Sequence, residues 1–145
     1  LDIESITVMI QKEVADRLTE VPGGKNSGAI TYTVYYYSEA KQVLTVPNYS
    51  FIPEPEVASE VIKLTLRKEP LVTLKNEEKF FKLIKVAFMQ RRKTFLNGVG
   101  NSELNITKQK MEEILNELNI DTKIRGEALT IEQFAAISER LESDF

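Results

Sequence analysis

The sequence contains neither cysteine nor histidine among its 145 residues. Without cysteine, a disulfide framework and a thiolate nucleophile are excluded, and without histidine the commonest general base and metal ligand is missing. Serine–histidine catalysis, cysteine catalysis and ordinary zinc sites are therefore excluded within these residues, and we expect no metal site. The absence of cysteine is also what a cytosolic protein commonly shows.

The sequence also lacks any long apolar run, since none approaches the roughly 20 residues that a bilayer-spanning helix needs. No signal peptide is recognisable, although a chain that starts at Leu1 instead of methionine is compatible with a lost leader. The hydrophobic content of 42% is enough for a core, and 145 residues suffice for one ordinary domain or two small ones. We therefore expect a soluble, cytoplasmic protein that does not bind membranes.

Acidic residues are missing from one segment, although the chain as a whole has a net charge of −3. Residues 79–93 hold six cations and no acid, whereas residues 101–145 hold ten acids against five bases. A strongly basic segment on an otherwise acidic chain is typical of a local nucleic-acid site that the overall charge conceals.

Apolar periodicity predicts strands and a short helix in the first part of the chain. Residues 5–10 form a run rich in β-branched types, as in a buried strand, and residues 11–18 continue with helical spacing. Residues 42–46 and 59–66 are predicted strands, the second with its even-numbered apolar residues on one buried face. Composition alone also predicts a strand for Ala29 to Tyr37.

Residues 47–55 contain three prolines, which make them a stiff, non-helical connection that can hold a side chain in place. Everything after residues 67–75, the predicted boundary, has helical spacing. Asn76 is a predicted N-cap ahead of two acids in the first turn, and Asn97-Gly98 is predicted to end that helix. A second helix is predicted for residues 107–118, and a third begins with a capping box at residues 130–133.

The basic segment falls on the first of these helices, which is predicted to reach Phe95. At about 100° per residue, its apolar residues share one face, and five of its cations lie within about 140° on the other side. Those cations are Lys79, Lys82, Lys85, Arg92 and Lys93. Arg91 falls on the apolar face, so we expect it to be partly buried, paired with an acid or a helix-end carbonyl, and structural in role.

Two interpretations of the basic face stay open on this pattern alone. Charged helix faces are commonly just solvated surface. Surface helices usually mix positive and negative side chains to gain favourable neighbour pairs, however, and a face of cations alone lacks these pairs, which favours polyanion binding.

Gly98-Val-Gly100 resembles a phosphate loop, but it follows a helix instead of a strand and is interpreted as a helix terminator. The residues therefore indicate a small mixed α+β part joined to a basic helical part that binds nucleic acid.

Four segments carry longer motifs. They are Met9-Ile-Gln-Lys-Glu-Val-Ala-Asp-Arg-Leu18, Phe51-Ile-Pro-Glu-Pro-Glu-Val-Ala-Ser59, Phe88-Met-Gln-Arg-Arg-Lys-Thr94 and Arg125-Gly-Glu-Ala-Leu-Thr130. In this order, and over nearly the whole chain, they resemble segments of the small-subunit rRNA adenine N6,N6-dimethyltransferases. The related large-subunit methyltransferases usually lack the Arg-Arg-Lys-Thr sequence, which favours the small-subunit branch. Two residues depart from the family pattern: Ala58 stands where an aspartate is common, and Tyr35 replaces a frequent glutamine.

The resemblance implies an α+β fragment, with the last strands and helices of an incomplete Rossmann-like methyltransferase core in residues 1–68 and a small all-helical rRNA-binding domain in residues 69–145. It also implies that Ala29 to Tyr37 is helical, because β-branched residues are tolerated in a packed helix. The family's glycine-rich cofactor loop, its acidic residue for the donor ribose and its Asn-Leu-Pro-Tyr catalytic motif would all precede Leu1. We therefore expect this fragment to bind no S-adenosylmethionine and to show no turnover.

By the same resemblance, the intact protein is a monomer that uses S-adenosylmethionine to dimethylate two adjacent adenines near the 3′ end of small-subunit rRNA, with the pre-30S particle as its partner. The target adenine leaves its stack, and Phe51 forms one side of the sandwich around it. The rRNA backbone is held by Lys82, Lys85, Arg92 and Lys93. Two alternatives remain: Phe51 is a plain core residue, or the whole protein is a non-catalytic module that binds nucleic acid or assists ribosome assembly by contact.

Overall fold

The computed structural model describes residues 2–100 and 102–141. Their strands are β1 (Ser5–Gln11), β2 (Ser38–Val46) and β3 (Ser59–Leu66), and their helices are α1 (Lys12–Thr19), α2 (Ala29–Tyr37), α3 (Glu77–Met89), α4 (Phe95–Gly100), α5 (Lys108–Glu117) and α6 (Ile131–Arg140). Single 3₁₀ turns cover Asn48–Ser50 and Gly126–Ala128. The predicted α+β composition is confirmed. No helix in this part of the chain combines the length and apolarity needed to cross a bilayer.

The three strands form one antiparallel sheet in the order β1-β3-β2. Ser59 of β3 lies opposite both Gln11 and Val46, so the long β2–β3 connection and the start of α1 meet at the same end of the sheet. The predicted alternation along β3 is confirmed, because Ile62 is fully buried while Lys63 and its odd-numbered neighbours are more exposed. One face of the sheet therefore packs against helices.

Residues 29–37 form helix α2, so the strand predicted from their composition is wrong and the helix implied by the family resemblance is right. Tyr32 and Tyr36 lie one turn apart on the buried face, and this burial outweighs the β-propensity of the segment. The Thr31 hydroxyl accepts a hydrogen bond from the Gly28 amide at 2.9 Å and donates one to the Arg17 carbonyl at 2.8 Å. Tertiary packing and a local cap together select the helix.

Helix α3 ends earlier than predicted. It stops at Met89, the chain turns through residues 90–94, and α4 begins at Phe95, so Asn97-Gly98 lies inside a new helix instead of ending the first. The Phe95 amide donates to the Ile124 carbonyl at 2.8 Å, and the Phe95 ring is buried, which fixes the new direction of the chain. The predicted caps at Asn76 and Thr130 are confirmed, the second with its complete capping box.

The main hydrophobic core lies among the helices, and α2 contributes two tyrosines to it. The Tyr32 ring meets Phe134 of α6 edge-on with centroids 5.1 Å apart, and its hydroxyl donates to the Leu129 carbonyl at 2.5 Å. The Tyr36 ring lies 5.4 Å from Phe81 at the start of α3. Helix α2 precedes the predicted boundary at residues 67–75. Its two buried tyrosines nevertheless belong to the core formed by the helices after that boundary.

Candidate nucleic-acid interface

Two of the predicted RNA-binding lysines lie on α3. Lys82 and Lys85 are exposed, whereas Phe80, Leu83 and Ile84 of the same helix are buried, so the predicted separation of the two faces is correct for this helix. The two acids of α3, Glu77 and Glu78, lie in its first turn. The exposed lysines therefore follow the acidic end of the helix.

The other predicted cations lie in the turn between α3 and α4. Arg92 and Lys93 are exposed, and the Lys93 amide donates to the Gln90 carbonyl at 3.1 Å, which tightens the turn. Among residues 2–100 and 102–141, no ion pair involves Lys82, Lys85, Arg92 or Lys93. Four cations without acidic partners thus lie on α3 and directly after it.

Arg91 does not have the partly buried position that helical spacing predicted. Because α3 has already ended, Arg91 lies in the exposed turn with Arg92. Its carbonyl accepts a hydrogen bond from Arg125 Nη1 at 3.3 Å. Its own Nη2 lies 3.6 Å from the position that a Cβ on Gly28 would occupy. Arg91 is therefore a surface cation at the N-terminus of α2, and the error came from extending the helix too far.

A polar cleft of about 200 Å³ lies beside Arg91. It is lined by three cations and three acids together with two small polar residues: Arg17, Lys25, Arg91, Glu13, Asp16, Glu127, Asn26 and Ser27. Residues 90–94, between α3 and α4, are called the basic turn. Arg17 and Lys25 could not be recognised from the sequence as neighbours of this turn, because they are distant along the chain and the packing of α1 and α2 brings them there. Arg125 lay in a segment carrying a family motif, but only the structure places it against Arg91.

Phe51 lies in the loop that contacts the start of α1. It directly follows the 3₁₀ turn in the β2–β3 connection, is half-buried and does not belong to the hydrophobic core cluster. The Lys12 amide at the start of α1 donates to the Ala58 carbonyl at 3.0 Å, which ties the connection to that helix. The ring thus belongs to a loop anchored at both ends. Its role as a stacking partner stays a prediction.

Helix α1 spans the interval between the proline-rich loop and the basic turn. Lys12 contacts the loop, and Arg17 lies beside Gly28 and Arg91, with a rise between the two residues of about 8 Å along the helix axis. The candidate interface therefore has two parts, the loop that carries Phe51 and the four cations on α3 and directly after it.

The groups with shifted pKa values lie outside these two parts. Hydrogen bonds from Lys12 and Gln42 lower the pKa of Asp16, whose carboxylate lies 2.5 Å from Lys12 Nζ. Burial raises the pKa of Tyr32, and burial together with the Glu77 carboxylate raises the pKa of Tyr36 to about 12. Asp16 and Tyr32 have hydrogen-bonding partners in the fold. In the portion of the chain that is described, no cluster of three acids could hold a metal ion.

The described residues do not fit a nucleotide-like cofactor. Such cofactors are commonly held by a glycine-rich loop that joins a strand to a helix. Here β1 continues into α1 at Gln11–Lys12 without a glycine, residues 67–76 between β3 and α3 contain none, and Gly98 and Gly100 lie within α4. These residues therefore offer no recognisable cradle for the phosphate groups of such a cofactor. The chemistry that they support is binding of a polyanion and contact with an aromatic surface.

A family model described as ribosomal RNA adenine dimethylase matches residues 1–142. The chain belongs to the ribosomal RNA adenine dimethylase family. Among curated relatives of this family, it is 48% identical to a ribosomal RNA small subunit methyltransferase A of Lachnoclostridium phytofermentans and 46% identical to one of Geobacillus sp.. These alignments cover 97% and 98% of the chain but 49% and 50% of the relatives, so the chain spans about half of their length.

Solved structures of related methyltransferases share the fold of this dimethylase-family chain. A dimethyladenosine transferase from Plasmodium falciparum superposes with a TM-score of 0.78 at 22% identity, covering 97% of this chain and 58% of the other. The 23S rRNA methyltransferase ErmE superposes with a TM-score of 0.66 at 20% identity, covering 97% of this chain and 55% of the other. The resemblance inferred from the four sequence segments is thereby confirmed at the level of family and fold.

Proposed function

We propose that these residues form the RNA-holding part of an enzyme that dimethylates adenines in small-subunit rRNA. The observation that carries this proposal is the group of four exposed cations, Lys82, Lys85, Arg92 and Lys93, without an ion-pair partner in the described part of the chain. Exposed cations without acids nearby gain little for folding but attract a phosphate backbone. The names of the relatives supply the identity of the RNA.

The whole protein is proposed to methylate two adjacent adenines near the 3′ end of small-subunit rRNA, with S-adenosylmethionine as the methyl donor. In this proposal β1 to β3, α1 and α2 are the last elements of a Rossmann-like core, and the helices after residue 68 form the RNA-binding domain. The supporting observations are the half-length match to the relatives and the lack of glycine where β1 passes into α1. The enzyme acts in the cytoplasm as a monomer on the pre-30S particle.

Phe51 is proposed to stack on the target adenine. A methyl donor can reach the exocyclic amine of an adenine only after the base has left its stack, and the flipped base then needs an aromatic or apolar partner. A half-buried ring outside the core, on a loop anchored at both ends, is suited to this contact. A stack of this kind contributes about 1–3 kcal/mol.

Salt dependence of RNA binding tests the four cations. With a single-stranded RNA, four phosphate contacts give a logarithmic salt slope of about 2.8, from about 0.7 per contact. The double variant Arg92→Ala/Lys93→Ala is expected to lower the slope by about 1.4 on the same basis. Lys108→Ala/Lys110→Ala removes two exposed lysines from α5 and serves as the matched control with an unchanged slope. A slope that is equal in all three proteins would remove the α3–α4 turn from the RNA site.

The rival function is a non-catalytic module that binds RNA by contact alone. Calorimetry of the full-length gene product with S-adenosylmethionine separates the two, because a contact module shows no donor binding. The 145-residue chain itself is proposed to bind no donor and to have no turnover. Appreciable methylation of rRNA by this chain alone would show that the proposal places the chemistry wrongly.

A further inference from the structure

The tip of the β2–β3 connection exposes large apolar side chains. Tyr49 is 75% exposed, Ile52 is fully exposed, and Val57 is about half exposed. Exposed aromatic and branched side chains on one short loop are uncommon unless the loop contacts something else. Phe51, the proposed stacking residue, lies between Tyr49 and Val57 in the same loop.

The side chains of this loop differ in exposure. The Ser50 amide donates to the Pro47 carbonyl at 3.0 Å, and the Phe51 amide donates to the Asn48 carbonyl at 3.3 Å, which closes the 3₁₀ turn directly before Phe51. Tyr49 and Ile52, on either side of Ser50 and Phe51 in sequence, are exposed, whereas Asn48 and Phe51 are partly buried.

The charge of the loop limits what can bind to its exposed side. Residues 47–59 contain no cation, whereas Glu54 and Glu56 are both exposed. An anionic loop without a cation is unfavourable for a phosphate group, so this side cannot act as a second backbone contact. A neutral, planar surface such as a nucleobase suits an exposed phenol ring, because every base has a face on which an aromatic ring can stack.

We infer that Tyr49 stacks on a second nucleobase of the RNA, next to the base that Phe51 contacts, and that Ile52 flanks this stack. The two aromatic rings, which lie two residues apart in the same loop, then contact two neighbouring bases. This inference rests on the proposed function, since it requires that the loop contacts RNA. Unlike the cations of the α3–α4 turn, Tyr49 contributes without counterion release, so its contact is independent of salt.

The test uses this chain and a ten-nucleotide single-stranded RNA labelled with 2-aminopurine. Tyr49→Ala is expected to weaken binding by about 5- to 150-fold, the equivalent of one lost base stack, and to leave the salt slope unchanged. Tyr49→Phe keeps the ring and is expected to bind within about two-fold of the unaltered chain and to quench 2-aminopurine equally. Val43→Ala, which truncates an apolar side chain of β2 that is 61% exposed, is the matched control.

The outcomes separate this inference from the function on which it rests. If the unaltered chain binds RNA with the expected salt slope and Tyr49→Ala binds equally well, the stack is refuted and the proposed function stands. If Tyr49→Phe is as weak as Tyr49→Ala, the hydroxyl and not the ring makes the contact, and the inference is wrong. If the unaltered chain does not bind RNA at any salt concentration, the proposed function fails first.

Discussion

At the scale of single residues, Gly126 determines how closely the 3₁₀ turn at Gly126–Ala128 approaches α3. A Cβ at Gly126 would lie 3.1 Å from Ala87 Cβ and 3.2 Å from the Ala87 carbonyl oxygen, both of which belong to the last turn of α3. Neither atom can move without shifting α3. The close approach also holds Arg125 beside the basic turn, where its guanidinium reaches the Arg91 carbonyl.

We predict that Gly126→Ala destabilises the fold by about 1–3 kcal/mol through overpacking. Gly98→Ala is the matched control, because a Cβ there would have Gln90 Cβ as its nearest contact at 4.0 Å. That control is expected to raise the free energy of unfolding by about 0.5–1 kcal/mol, since glycine disfavours a helix. Urea denaturation of both variants measures the difference. Equal free energies of unfolding for the two variants would show that α3 shifts at Ala87 to accommodate the added methyl group.

Tyr36 gives a prediction for alkaline pH. Its folded-state pKa is raised to about 12 by burial and by the Glu77 carboxylate, whereas an unfolded tyrosine titrates near its ordinary value of about 10. The stabilisation from its neutral form is therefore complete below about pH 10 and is lost as the pH rises towards 12, by up to about 1.4 kcal/mol per pH unit. Tyr36→Phe should flatten the fall of the unfolding free energy over that range. If the unfolding free energy falls equally with pH in both proteins, Tyr36 is not the group whose pKa is raised by folding.

The charge pattern of the sequence was a better guide to the candidate site than the helical projection of the residues. Lys82, Lys85, Arg92 and Lys93 were predicted from the absence of interleaved acids, and all four are exposed. Arg91 was placed wrongly because a helical projection carries no information about where the helix ends. Arg17 and Lys25 could not be predicted, since their proximity to Arg91 depends on how α1 and α2 pack.

At the scale of elements, local signals predicted the caps and the positions of β1, β2 and β3, but long-range packing decided two segments. The predicted burial of the first strand is wrong, because β1 is exposed along nearly its whole length. Asn76 and Thr130 were recognisable because a cap acts within four residues of sequence. The helix at α2 and the end of α3 were not, because the first depends on burial of its tyrosines and the second on the bond between Phe95 and Ile124. Both depend on residues more than 25 positions away.

The two edges of the sheet differ in their protection against further pairing. Edge strand β2 carries charged residues and an irregularity between Gln42 and Leu44, both of which hinder pairing. Edge strand β1 has no charged residue from Ser5 to Gln11, and its Met9 side chain is 51% exposed. Within the described residues nothing pairs with the outer edge of β1.

At the scale of the whole molecule, α2 joins the sheet to the helices that follow it. Arg67, at the end of β3, adds to this junction: its Nε donates to the Tyr35 carbonyl at 2.9 Å, and its guanidinium lies 5.1 Å from the centroid of the Tyr35 ring. Tyr35 thus has a cation–π partner in this chain. The division into residues 1–68 and 69–145 stays a prediction about architecture, but it does not imply separate unfolding.

We therefore predict that the sheet and the helices unfold in one transition. Tyr32 couples them, because its hydroxyl donates to the Leu129 carbonyl and its ring lies 5.5 Å from Phe88 and 5.1 Å from Phe134. Tyr32→Phe leaves that buried carbonyl without its donor and should cost about 1–3 kcal/mol. If the coupling is real, far-UV circular dichroism and tyrosine fluorescence shift to lower temperature together, since two-state unfolding makes all probes coincide. A lower midpoint for one probe alone would mean that α2 belongs energetically to only one part, and the basic turn and the Phe51 loop would then be free to move independently on the RNA.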